Sequence, residues 1–134
     1  MFSETFSPRF SDTDALGHIN NTLVPIWFEG ARKPIFEFFI PDLDPKKWTL
    51  ILANIDVAFK AQMYFGYDME VRTYVSHVGN SSFKVYQELW QQNQCCASGT
   101  ATMVHFDFQN QKSTVIPEDI KGQLQKHLLM TNDH

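Results

Sequence analysis

Two carboxylates, a glycine, a histidine and two asparagines fall within ten residues, as Asp12, Asp14, Gly17, His18, Asn20 and Asn21. An apolar run holding Ile26, Trp27 and Phe28 follows at once. This order predicts a strand end, a sharp polar turn and then a helix. An acid beside a helix start suits attack on a carbonyl. The helix end offers unpaired N–H groups and the positive end of its dipole to a developing oxyanion. A carboxylate beside it can activate water or attack directly. The same residue types are also the ordinary ones of turns and helix caps, so on types alone a cap-and-turn role stands beside the catalytic one.

Composition narrows the classes. The 134 residues suffice for one domain with one core, expected to span 1–134. Hydrophobic residues make up 43%, and twelve phenylalanines lift the aromatics to 14%, which implies a bulky core or an apolar slot. A net charge of −4 argues against nucleic acid as the main partner. No apolar run approaches the roughly 18 residues of a membrane span, and the first residues lack the basic and apolar regions of a secretory signal. A cytosolic location and no membrane partner are expected. Cys95 and Cys96 would face opposite sides of a strand and lack metal or redox spacing, so they read as free thiols. The histidines at 18, 77, 105, 127 and 134 show no metal-ligand spacing either. No metal and no cofactor are expected.

The elements that must position the turn can be read from periodicity. A first strand is expected over 4–11, interrupted by Pro8. The helix should run from Thr22 to the high thirties. Its apolar positions are Leu23, Ile26, Trp27, Gly30, Ala31, Ile35 and Phe38, with Glu29, Arg32 and Lys33 toward water. Glu29 and Arg32, three apart, should form an exposed pair. Pro25 is tolerable only in the first turn, and Pro34 should kink the helix or end its first part. From Leu50 the pattern turns to period two. Ile51, Ala53, Ile55, Val57, Phe59 and Ala61 would share one face, opposite Asn54, Asp56 and Lys60. Strands at 69–78, 82–90 and 95–108, joined by turns at Gly66, Gly79-Asn80 and 91–94, complete an antiparallel meander. A short helix should open at Pro117 and reach Leu129, with 131–134 frayed.

The pattern Arg9-x-x-Asp12-x-Asp14-x-x-Gly17-His18-x-Asn20-Asn21, with an aromatic helix carrying Glu29, Ala31 and Arg32 behind it, resembles the hotdog-fold acyl-CoA thioesterases of the 4-hydroxybenzoyl-CoA thioesterase type. The similarity continues through 54–61 and the Gly66-Tyr67-Asp68 turn, so it covers about 4–107. It implies an α+β hotdog fold: a curled antiparallel five-stranded sheet wrapped around one long helix, with a short C-terminal helix. It also implies a homodimer or homotetramer with active sites at the dimer interface.

By position, the resemblance makes Asp14 the catalytic aspartate, as nucleophile or as general base. It makes Asn21 the residue whose backbone N–H meets the thioester carbonyl. Gly17 would free the turn, His18 would act as scaffold or general acid, and Asn20 would cap the helix. Asp12 reads as structural. The phosphates of CoA would meet Lys60, Arg72 and Lys84, with Ser81 and Ser82 as further contacts. Pro25 departs from the family, which usually carries an ordinary apolar residue there, and a shifted helix start would change the aim of Asn21.

Hydrolysis of an acyl-CoA ester is the function implied. An acyl-carrier-protein thioesterase and a non-catalytic acyl-CoA-binding module are the competitors. Dehydratase chemistry would want a His–Asp pair that the pattern does not offer. The phenylalanines suggest a fatty or aromatic acyl group rather than a charged one, or serve as core.

Overall fold

The structure, a computed structural model, describes residues 1–129. Strands β1 (Phe2–Phe6), β2 (Leu50–Phe59), β3 (Met69–Val78), β4 (Ser82–Gln91) and β5 (Gln94–Asp107) form one antiparallel sheet in the order β1-β3-β4-β5-β2. A two-residue β6 (Lys112–Ser113) pairs with the end of β5. The helical segment is split into α1 (Val24–Ala31) and α2 (Lys33–Phe39), and α3 (Glu118–Gln125) lies near the C-terminus.

The inward residues of the sheet alternate along each strand, as a one-sided core requires. Met69, Val71, Thr73 and Val75 of β3 are buried, as are Phe83, Val85, Gln87, Leu89 and Gln91 of β4. Val24, Phe28 and Ala31 of α1 meet Met69, Val71, Leu89 and Ala97 in one apolar cluster. Ile35 and Ile40 meet Leu50, Val75, Phe83, Val85 and Met103 in a second, which α3 closes with Leu124. Gly99 of β5 has no room for a side chain. A Cβ there would come within 2.5 Å of the Asp56 carbonyl oxygen and 3.3 Å of the Phe28 ring.

Several local expectations change. β1 ends at Phe6, and 10–12 turn as a single 3-10 turn rather than extending the strand. The helix is interrupted at Arg32, so that Pro34 falls in the first turn of α2 and Pro25 in the first turn of α1, where neither removes a needed bond. One helical face stays inward across that interruption, and it is not the face expected. Val24, Phe28, Ala31 and Ile35 point inward, Ile26 is 61% exposed, and Arg32, read as solvent-facing, is 1% exposed. It makes no ion pair with Glu29; its Nη1 donates to Gln87 Oε1 at 3.1 Å.

In β2 the predicted alternation fails at Ala53, where a bulge shifts the register between Leu52 and Asn54. Leu52 opposes Met103 and Ile55 opposes Ala101, so Leu50 and Leu52, not Ile51 and Ala53, share the inner face with Ile55, Val57 and Phe59. A similar shift falls between Val75 and His77 of β3. α3 stops at Gln125, short of Leu129. Leu128 instead bridges to Val75, whose N–H donates to the His127 carbonyl at 3.0 Å. The expectation for 131–134 lies outside the described residues.

Candidate active site

The polar turn is a small hairpin folded against the end of the sheet. Asn20 N–H donates to the Asp12 carbonyl at 2.9 Å, Thr13 bridges Ile19, and Asp14 N–H donates to the His18 carbonyl at 2.8 Å. Gly17 closes the tip with φ +81°, a conformation open to glycine at little cost. Ile19, 3% exposed, pins the hairpin to the core and donates to the Met63 carbonyl at 2.8 Å.

The two aspartates have different surroundings. Asp12 is 4% exposed; its Oδ2 accepts from Arg9 N–H at 2.8 Å and its Oδ1 from Arg9 Nη2 at 3.1 Å. All of it is turned inward to hold the turn together, in keeping with a structural part. Asp14 is exposed. Its Oδ1 accepts from Leu16 N–H at 2.8 Å and from His18 N–H at 3.1 Å, while Oδ2 has no partner among the described residues. One oxygen is anchored and the other is available.

Asn20 caps the helical segment: its Oδ1 accepts from Thr22 N–H at 3.0 Å and from Thr22 Oγ1 at 2.9 Å. A 3-10 turn over Asn21–Leu23 then leads into α1. This lead-in lets Pro25 enter without displacing Asn21. The N–H of Asn21 stands first in the turn and has no acceptor among the described residues. Asn21, with Phe59, Lys60, Ala61 and Gln62, lines a cavity of about 320 Å³.

Asp14 does not line that cavity within one chain; it lies two residues along the hairpin from the Asp12–Asn20 pairing. A carbonyl attacked from Asp14 and held by Asn21 would need its carbon at roughly 3–3.5 Å from the attacking oxygen and its oxygen at roughly 3 Å from the N–H.

His18 is half-buried and packs edge-on to Tyr64, with ring centroids 5.3 Å apart, and serves Asp14 through its backbone. An aromatic rim surrounds the turn that sequence periodicity does not mark. Phe10 is 78% exposed and meets Phe65 edge-on, and Tyr64 precedes Phe65 in the chain. Its loop is held by buried Gln91, whose Oε1 accepts from Tyr64 N–H and whose Nε2 donates to the Tyr64 carbonyl, both at 2.8 Å. The signal available was an aromatic pair followed at once by a Gly-Tyr-Asp turn.

Of the proposed CoA contacts, Lys60 stands beside Asn21. Arg72 and Lys84 lie on the outer face of the sheet, where Arg72 pairs with Glu70 at 2.9 Å and covers the Trp90 ring at 4.2 Å. Ser81 and Ser82 lie at the start of β4, the end remote from the turn that Gln91 holds. A separate cavity of about 360 Å³ near the start of β2 gathers Lys46, Lys47, Trp48, His105 and Phe108.

Cys95 and Cys96 are free, and burial pushes both thiols up, away from nucleophilic use. Among the described residues, no three of His, Cys, Asp or Glu converge as metal ligands, and no helix is long and apolar enough to cross a membrane. His134 lies outside that range.

Comparison with known proteins agrees with this architecture. Residues 8–124 match the model of the thioesterase-like superfamily. A predicted thioesterase from Bacillus stearothermophilus has a structure superposing with a TM-score of 0.93, at 40% identity over 98% of both chains. A thioesterase from Thermus thermophilus, solved with coenzyme A and zinc, shares the fold at 21% identity, with a TM-score of 0.78 over 92% of this chain and 91% of that one. The uncharacterized protein YsmA of Bacillus subtilis is 26% identical over 124 residues, 92% of this chain and 84% of its own.

Proposed function

The chain belongs to the thioesterase-like superfamily and is a thioester hydrolase of the hotdog fold, and from that premise we propose that it cleaves acyl-CoA esters with Asp14 as the catalytic carboxylate and the Asn21 N–H as the oxyanion donor. The observation that carries this reading is the pairing of two unspent groups. Asp14 Oδ2 is free on a carboxylate whose other oxygen is anchored by two N–H groups, and the Asn21 N–H is free at the start of the helical segment.

A thioester carbonyl seated between them is attacked at carbon while its oxygen takes up negative charge against the N–H. Oδ2 serves either route with the same geometry. It can attack the carbon itself, expelling the CoA thiolate and leaving a mixed anhydride for water to open. It can instead remove a proton from water as that water attacks. His18 and Asn20 act as scaffold in both. Lys60 is the cation best placed for the anionic carrier, and a Thermus thermophilus protein of the same fold holds coenzyme A.

The reading includes a homodimer. β2 is a ten-residue edge strand with nothing paired on its outer side among the described residues, its Leu52 and Phe59 are exposed, and so is Ile26 of α1. Antiparallel pairing of two such edges would continue the sheet and remove the edge. By two-fold symmetry it brings the start of one β2 beside the end of the other. Free thiols at Cys95 and Cys96 are in keeping with a reducing, cytoplasmic setting.

The experiment is thiol release from a series of acyl-CoAs and from the same acyl groups on acyl carrier protein. Turnover of CoA esters is expected. Turnover confined to the carrier protein would move the assignment to that substrate, and release from neither would leave only a binding role.

A further inference from the structure

Gln91 is a polar residue at an inward position of the sheet. Alternation along β4 buries Phe83, Val85, Gln87, Leu89 and Gln91, and Gln91, the last residue of the strand, is 4% exposed. An amide so buried is costly unless its polar atoms are bonded. Its side-chain hydrogen bonds go to the loop after β2. Tyr64 N–H donates to its Oε1 at 2.8 Å, and its Nε2 donates to the Tyr64 carbonyl at 2.8 Å and to the Tyr67 carbonyl at 3.2 Å. One side chain thus takes both backbone polar groups of Tyr64, as a neighbouring strand would.

That loop braces the polar turn. His18 and Tyr64 form a β-bridge, and their rings meet edge-on with centroids 5.3 Å apart. One position on, Phe65 packs edge-on to Phe10, where the turn begins, with centroids 5.9 Å apart. His18 in turn holds Asp14 twice. Its N–H donates to Asp14 Oδ1 at 3.1 Å, and its carbonyl accepts from Asp14 N–H at 2.8 Å. A continuous path therefore runs from the end of β4 through Gln91, Tyr64 and His18 to Asp14 Oδ1. The direction of the free Oδ2 follows from how Oδ1 is held.

We propose that Gln91 is a positioning residue for thioester hydrolysis: by clamping Tyr64 it holds His18, and through the His18 N–H it sets the aim of the Asp14 carboxylate. This rests on the reading of Asp14 as the catalytic carboxylate. Gln91 acts through the loop and not on the substrate. Loss of the clamp leaves one end of the contact in place, because Met63 and Ile19, whose N–H donates to the Met63 carbonyl at 2.8 Å, lie 1% and 3% exposed in the apolar cluster. The half-buried His18 has no such anchor. The turn then stays on the protein while Asp14 loses its aim, and a misplacement of about 1 Å at an attacking group can cost about a hundredfold in rate.

The test follows thiol release from an acyl-CoA that wild type hydrolyses, with kcat and KM measured for wild type, Gln91→Met, Asp14→Asn and the double variant. Methionine matches glutamine in length and makes none of its bonds to the loop. Gln91→Met should lower kcat about tenfold or more while KM stays near the wild-type value. In the double variant the losses should not multiply. With no reacting oxygen left to aim, it should release thiol at the rate of Asp14→Asn alone. Should Gln91→Met not fold, Gln91→Glu, which keeps an acceptor for Tyr64 N–H but no amide donor, takes its place with the same two results expected. A wild-type kcat in the Gln91 variant, beside an impaired Asp14→Asn, overturns the inference and leaves the hydrolase reading standing. So does a multiplied loss in the double variant, which would make Gln91 a support of the fold alone. Asp14→Asn with wild-type kcat, or a wild type that hydrolyses no acyl-CoA, overturns both.

Discussion

Asp12 and Asp14 stand two positions apart with the same side chain, and their surroundings assign them different work. Asp12 is spent inside the fold on Arg9, whereas Asp14 keeps one oxygen free at the surface. The sequence pattern distinguished them by position alone, and residue type could not reveal which side chain is turned inward. Arg32 was not legible. Its charge set it with Glu29 on the wet face, whereas helical spacing puts position 32 one turn after buried Phe28, at the edge of the inward face. Likewise, the separation of Arg72 and Lys84 from the turn follows from which face of the sheet each strand presents, which residue type does not reveal. At this scale the pH response can also be argued. Burial first, then Glu88, whose Oε2 accepts from Tyr86 Oη at 2.9 Å, pushes the Tyr86 hydroxyl up to about 12. An unfolded tyrosine ionises near 10. Above that pH the unfolded chain loses a proton that the folded chain keeps, so the contribution of Tyr86 is intact below about 10 and is lost as pH rises toward 12. Burial also raises the Tyr74 hydroxyl, so ultraviolet titration of the native protein should show Tyr86 as the last phenol to ionise, and Tyr86→Phe should remove that last step. Titration of all phenols together near 10 would contradict the buried environment.

Among the elements, the strands were the most legible, because alternation of apolar residues maps directly onto a one-sided sheet. The failure in β2 has a single cause. A bulge at Ala53 inserts one residue, and every residue before it changes face. Apolar residues on both parities, Leu50, Ile51, Leu52 and Ala53, hide that change from any period-two count. The helix break is different in character: Pro34 announced it, and the buried face carries on across it from Ala31 to Ile35. Gly99 of β5 is packed against both β2 and the Phe28 ring of α1. Gly99→Ala would force the new methyl group toward the Asp56 carbonyl oxygen and the Phe28 ring. A loss of about 1–3 kcal/mol in unfolding free energy is expected from such overpacking. Denaturant unfolding would measure it, and a variant as stable as wild type would show that β2 yields there freely.

For the molecule as a whole, the free β2 edge and the half-exposed residues beside it are the features one chain leaves unfinished. Sedimentation equilibrium should give a mass two or four times that of the chain. Leu52→Lys, a charge set on that edge, should shift the mass toward one chain while the circular dichroism spectrum stays that of the folded sheet. A wild type that sediments as a single chain would remove the dimer from the account. The central claim, however, is chemical, and it concentrates on one carboxylate oxygen. The most direct measurement is the rate of thiol release from an acyl-CoA that wild type turns over, repeated with Asp14→Asn. Asparagine keeps an oxygen to accept from Leu16 and His18 but removes the nucleophile and the base, and Asp14 is exposed, so the fold should be preserved. The account predicts that kcat falls by roughly a hundredfold or more, the scale of a lost catalytic carboxylate, with Tm unchanged. An Asp14→Asn enzyme that keeps wild-type turnover would contradict it and place the reacting group elsewhere.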